Sequence, residues 1–267
     1  MISSSVFAAF IFAAAVELVF PVVLLLVLGL KKKISVKPMF FGAAAFFVSQ
    51  ICLRIPILQV LGAQSWYKSF ALNIIPYVLT LAFTAGLFEE SARYIGARLL
   101  KNERAYRDAV SFGLGHGLCE VILITGMAQI NNIIYSTMIN NGTLASSLPA
   151  ATANQILSVM LTATPAMIFM GLWERVSTVL FHVFATVLIF KGVNEHKIRY
   201  YFYALAAHTV CDTAAPLLAK YVNAWVTEMV LFVIGIAGLI YVLKVKPSFR
   251  QKSLDEPPVA PTIQGNV

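Results

Sequence analysis

Apolar runs of about twenty residues, most of them closed by a short lysine or arginine cluster, recur along this chain. That length is what a helix needs to cross a hydrocarbon core of about 30 Å. Inside lipid the backbone can satisfy its own hydrogen bonds only as helices or closed barrels. The expected fold class is therefore all-α, a polytopic membrane helix bundle. Composition agrees: 59% of residues are hydrophobic and 12% charged, with a mean hydropathy of +0.80. A soluble domain carries about a quarter charged residues.

The runs give seven expected spans. They are Ser5–Leu30, Pro38–Leu61, Ala71–Leu100, Ala109–Met138, Pro165–Phe190, Tyr200–Leu218 and Ala224–Leu243. The stretch 155–190 can be read as one span or as two short ones. Lys191, Lys197 and Arg199 follow it, while the polar loop 140–154 before it has no basic residue. An odd number of crossings fits that contrast, so one span is expected. The positive-inside rule then puts the N-terminus outside and the C-terminus inside. Residues 1–246 form the expected membrane domain, and the Pro-rich tail 247–267 is expected to be disordered. The first run is too long for a signal peptide core and is read as a retained span.

The net charge of +8 lies mostly in short loops between apolar runs, so nucleic acid is not an expected partner. Cys52, Cys119 and Cys211 lie within apolar runs without CxxC spacing. Neither a disulfide framework nor a structural zinc site is indicated.

Ionisable groups inside a bilayer are expensive and mark function by default. Three pairs share a helix face at i, i+4: Glu89 with Arg93, His116 with Glu120, and His208 with Asp212. Depth ties them together. His116 lies nine residues past Arg107, His182 nine before Lys191, His208 nine past Arg199, and Glu89 nine before Arg98. At 1.5 Å per residue each sits roughly 13 Å from a basic residue at the cytoplasmic side. One shared polar layer from four spans is expected.

Bland readings stand beside this one. A lone intramembrane His can be a helix–helix hydrogen bond. Gly113, Gly115 and Gly117 are expected to let span 4 approach span 3 closely. Glu17 can be a lone partner for Arg54, Glu174 and Arg175 an intrahelix pair, and Glu195 and His196 solvated loop residues.

Glu89-Glu90-Ser-Ala-Arg93, Phe112-Gly-Leu-Gly-His116 and His208-Thr-Val-Cys-Asp212, in that order, resemble the motifs of the CAAX-processing and bacteriocin-processing protease superfamily. It includes prenyl-protein peptidases, PrsW-type proteases and the Aph-1 subunit of γ-secretase. Gly115-His116-Gly117-Leu-Cys-Glu120 and the Glu174-Arg175…His182 segment look most like the bacterial YhfC family within it. The resemblance implies intramembrane hydrolysis of a membrane-associated protein or peptide, in the bacterial cytoplasmic membrane. Carried over, Glu89 and His116 act on a water, tuned by Glu90 and Arg93, while His208 and Asp212 hold the reacting carbonyl. Glu120 and His182 are possible additional members. Asp212 stands where prenyl-protein peptidases carry Asn, which argues against prenylated substrates.

A glutamate mechanism without metal is the expectation. Zinc held by Glu89, His116, His182 and His208 is the alternative, without an HExxH motif. Outside protease chemistry, a non-enzymatic Aph-1-like scaffold and a proton-coupled transporter compete. Repeated halves, which would favour transport, are not seen. The oligomeric state is not legible.

Overall fold

The computed structural model describes residues 1–255, with side chains as far as residue 249. Among the described residues every regular element is helical. Helix α1 spans Ser4–Leu30, its first turn closed by the Ser3 hydroxyl accepting from the Val6 N–H. Helix α2 spans Val36–Ala63 and widens to π-helical geometry over Phe47–Arg54. Helix α3 (Ser65–Ala71) meets α4 (Ile74–Leu99) at 108°. Helix α5 spans Tyr106–Asn140, with a second π-helical segment at Val121–Gly126. After the short helices α6 (Leu144–Ser147) and α7 (Ala150–Thr162) come α8 (Pro165–Glu195), α9 (Arg199–Tyr221) and α10 (Ala224–Asp255).

By length and composition five helices can cross a membrane: α1, α2, α5, α8 and the Ala224–Phe249 part of α10. The bent α3–α4 pair raises the number to six. Helix α9 has 23 residues, with His208 and Asp212 within its apolar stretch. Helix α7 has 13 residues, about 20 Å of rise, which is too short to span. It is separated from α8 by extended backbone at Ala163 and Thr164, where the Thr164 hydroxyl caps Met167 and Pro165 opens the new helix. Residues 155–162 thus belong to their own element. Helix α8 ends when His196 adopts the left-handed conformation at φ +55°. Helix α10 continues through Pro247 to Asp255, nine residues into the tail expected to be disordered. The rest of that tail, 256–267, lies outside the described residues.

Two glycines set the α2–α5 crossing. A Cβ on Gly115 would sit 2.0 Å from the Met39 carbonyl oxygen, and one on Gly42 would sit 1.9 Å from that of Phe112. The two backbones therefore touch without side chains between them. Gly113 and Gly117 face α8 instead, against Val183 Cα and His182 Cβ. The glycines of α5 thus bring it to α2 and α8, correcting the expectation that they serve α4.

At the end of the bundle carrying the basic loops the core is tight. Phe112, Val187 and Phe190 are fully buried, and the Phe112 and Phe190 rings meet edge-on at 5.4 Å. Arg104 closes α4 there, donating to the carbonyls of Ala97, Arg98 and Leu100.

Candidate functional site

The middle of the bundle is polar where the sequence is most costly to bury. Helix α4 presents Glu89, Glu90 and Arg93 on one face, all at most 5% exposed. Arg93 reaches both acids, donating through Nη2 to Glu89 Oε2 at 3.0 Å and through Nη1 to Glu90 Oε1. A buried charge is tolerated when paired and hydrogen-bonded in this way.

Three histidines from three other helices close on these acids. His116 of α5 places Nε2 2.9 Å from Glu89 Oε2. His182 of α8 places Nδ1 3.9 Å from the same oxygen. His208 of α9 meets Glu90 Oε1 through Nδ1 at 2.7 Å, and its Nε2 lies 4.0 Å from Glu89 Oε1. The four residues expected at one depth are therefore neighbours. Gly86, one turn before Glu90, makes the α4–α9 approach possible: a Cβ there would lie 3.3 Å from His208 Cβ.

Around this centre stand further polar groups. Asp212 Oδ2 is 3.4 Å from His208 Nε2, and its side chain is 42% exposed. Glu120 Oε2 is 2.6 Å from His182 Nε2, outside hydrogen-bonding alignment. Arg175 links outward from Glu120, at 3.7 Å, to its neighbour Glu174. The Glu174–Arg175 pair expected within one helix is present, and it also joins this network.

Gln50 belongs to the centre and was not expected there. Its Nε2 donates to Glu89 Oε1 at 2.9 Å, and its Oε1 accepts from Arg54 at 3.1 Å. It lies within the π-helical segment of α2, a distortion frequent at functional sites. Arg54 also donates to Thr84 and to the Leu81 carbonyl. Glu17 is not its partner: it is buried on α1, and its Oε2 lacks a hydrogen-bond partner among the described residues. Glu195 pairs with Lys191 and Lys197 and is half-buried rather than fully solvated, whereas His196 is exposed as expected.

A cavity of ≈ 130 Å³ reaches the centre; Glu89, Glu120, His182, His208 and Asp212 line it. His116, Glu90 and Arg93 are fully buried behind Glu89. The arrangement is a carboxylate held by an amide, a guanidinium and an imidazole, with one edge open to a polar cavity.

Fold and centre together define the class: a multi-pass helical membrane protein with a buried, cavity-connected glutamate–histidine site. The chain belongs to the YhfC family; the family model, described as YhfC intramembrane metalloprotease, matches residues 16–231 and so takes in every candidate residue. It is similar to the "Uncharacterized membrane protein YhfC" of Bacillus subtilis (strain 168), 28% identical over 246 residues, covering 89% of this chain and 95% of that one. No solved structure matches. The family description supports intramembrane protease activity and names a metal. It lends nothing to the expected preference for a metal-free glutamate mechanism.

The donor set suits a metal. Glu89, His116 and His182 each offer one ligand atom, and the three atoms lie within 4.8 Å of one another, all on buried residues. Catalytic zinc takes three such protein ligands and keeps a fourth position open. Arg93 Nη2 also contacts His182 Nδ1. A guanidinium can only donate, so Nδ1 is the accepting nitrogen, and a metal using its lone pair would have to displace Arg93 Nη2, which also holds Glu89 Oε2. His208, the fourth residue of the expected zinc alternative, stands outside this group and is engaged by Glu90 and Asp212.

Proposed function

We propose that this protein is a metal-dependent intramembrane endopeptidase that hydrolyses a peptide bond of a membrane-associated protein or peptide. The observation that carries the reading is the convergence of Glu89, His116 and His182 donor atoms within 4.8 Å at the edge of a polar cavity. In this reading these three residues hold a zinc-type ion. When bound, such an ion polarises the scissile carbonyl and makes a water nucleophilic near neutral pH.

The chain's own groups do the rest. Glu89 aims Oε2 at the donor point and Oε1 towards His208, 4.0 Å away. The carboxylate can take the proton that the attacking water releases and return it to the departing amine. The water oxygen ends on the carbonyl carbon, the C–N bond breaks, and the amine leaves protonated. His208 has a carboxylate against each ring nitrogen, Glu90 at Nδ1 and Asp212 at Nε2. That suits a ring presenting N–H to an oxygen on which charge develops. Gln50 positions Glu89 from Oε1, and Glu120 lies against the far nitrogen of His182, where outer carboxylates support metal-bound imidazole.

We further propose seven spans, with α4 and α9 crossing as well as the more apolar helices. In this proposal the N-terminus is outside and the C-terminus inside the bacterial cytoplasmic membrane, an orientation the basic loops favour. The order of the three motifs supports placement beside the CAAX-processing, PrsW-type and Aph-1 proteins.

The test is cleavage of membrane-anchored reporter peptides by purified protein, with metal analysis of the same sample. Activity lost to a chelator, restored by zinc and absent in Glu89→Gln is the expected result. Undiminished cleavage by protein stripped of metal would refute metal dependence.

A further inference from the structure

The cavity beside the centre has a direction. Helix α8 runs from the poorly charged face of the bundle towards the basic loops, and the cavity lining extends back along it from His182 to Glu174, about 12 Å of helix. Helix α9 runs the other way, and the lining extends forward from His208 to Ala215, about 10 Å. On α5 it takes Glu120, beyond His116, and on α10 it takes Leu231, seven residues from the start of that helix. All four helices lead from the centre towards the same face, the one carrying the connections at 163–164 and 222–223.

The opposite direction is shut. Phe112, Val187 and Phe190 are fully buried between the centre and the basic loops, and none of them lines the cavity. The lining on the open side is polar well beyond the reactive residues. Arg175 sits between Glu120 and Glu174, and Ser177, only 3% exposed, presents a hydroxyl without a hydrogen-bond partner among the described residues. An unpartnered buried hydroxyl is costly in a dry wall. In a passage that carries water and peptide amides it has partners.

We infer that the reactive centre is reached through a polar vestibule between α5, α8, α9 and α10, opening on the face opposite the basic loops. The route of entry follows from the cavity alone. Resting on the protease reading, it also follows that scissile bonds are presented from that face, which the positive-inside rule makes extracytoplasmic.

Cys211 lines the vestibule one turn beyond His208 and serves as a native probe. In a Cys52→Ala, Cys119→Ala background, a membrane-impermeant cationic methanethiosulfonate reagent is applied to sealed right-side-out and inside-out vesicles. Asn141→Cys and Lys101→Cys, each in a cysteine-free background, mark the two faces. Cys211 is expected to react from the side that labels Asn141→Cys and to show complete loss of labelling from the side that labels Lys101→Cys. Ala215→Cys, one turn nearer the mouth, is expected to react faster than Cys211. Labelling of Cys211 from the Lys101 side, from neither side, or faster than Ala215→Cys overturns the vestibule. The assay needs no cleavage, so failure of the protease reading leaves this result intact, and the face markers report orientation separately.

Discussion

Gly115→Ala tests how closely the chemistry depends on one backbone contact. The added methyl would lie 2.0 Å from the Met39 carbonyl oxygen and 2.8 Å from its carbon. A carbon–oxygen contact of this kind settles at about 3.3 Å, so α2 and α5 must part by about 1.3 Å. Met39 O belongs to a helix backbone and cannot swing aside. Overpacking of this kind costs about 1–3 kcal/mol. The next residue is His116, whose Nε2 is 2.9 Å from Glu89, and Gln50 on the displaced α2 holds the other Glu89 oxygen at 2.9 Å. A displacement of about 1 Å at a reacting centre can cost on the order of 10²-fold in rate. We therefore expect Gly115→Ala to lower the apparent melting temperature in detergent and to reduce reporter cleavage by about 10²-fold. Gly62→Ala is the control: the same helix α2, no neighbouring atom within 4 Å, and an expected change between neutral and about 1 kcal/mol more stable. If the two variants melt and cleave alike, the backbone contact between α2 and α5 does not hold the site.

Purified protein is expected to carry about one zinc-type ion per chain, measurable by elemental analysis and lost in His116→Ala and His182→Ala; full metal content in either variant would remove that residue from the ligand set. Glu120→Gln should weaken metal binding by about 10–100-fold while excess metal restores cleavage, and a rate that stays low at saturating metal would give Glu120 a different role. His208→Ala should lower kcat by about 10²–10³ with little change in KM, whereas an unchanged kcat would take His208 away from the reacting carbonyl.

Much of the site could be read from sequence because depth along a helix is a simple count. Glu89, His116, His182 and His208 lie at equal distances from basic loop residues, and a rise of 1.5 Å per residue carries that equality into space. Direction around the helix is less legible. Gly113, Gly115 and Gly117 look like one stripe, but two residues turn an α-helix by about 200°. Gly115 therefore faces α2, while Gly113 and Gly117 face α8. Gln50 left no mark because a neutral amide inside an apolar run has no charge to flag it. The two π-helical segments follow from packing and have no local sequence sign. The bend before α4 did have one: Asn73, a residue favoured just before a helix, stands near the start of the expected third span.

Arg93 has a consequence for how such a protein comes into being. One turn of α4 contains both acids and a cation that reaches each of them, so this segment enters lipid with its two negative charges partly offset from within. A divalent cation arriving later finds Glu89 Oε2 occupied at 3.0 Å by a guanidinium nitrogen. On the metal-dependent reading, loading the centre would be an exchange of one positive partner for another at that oxygen, with Arg93 keeping its hold on Glu90.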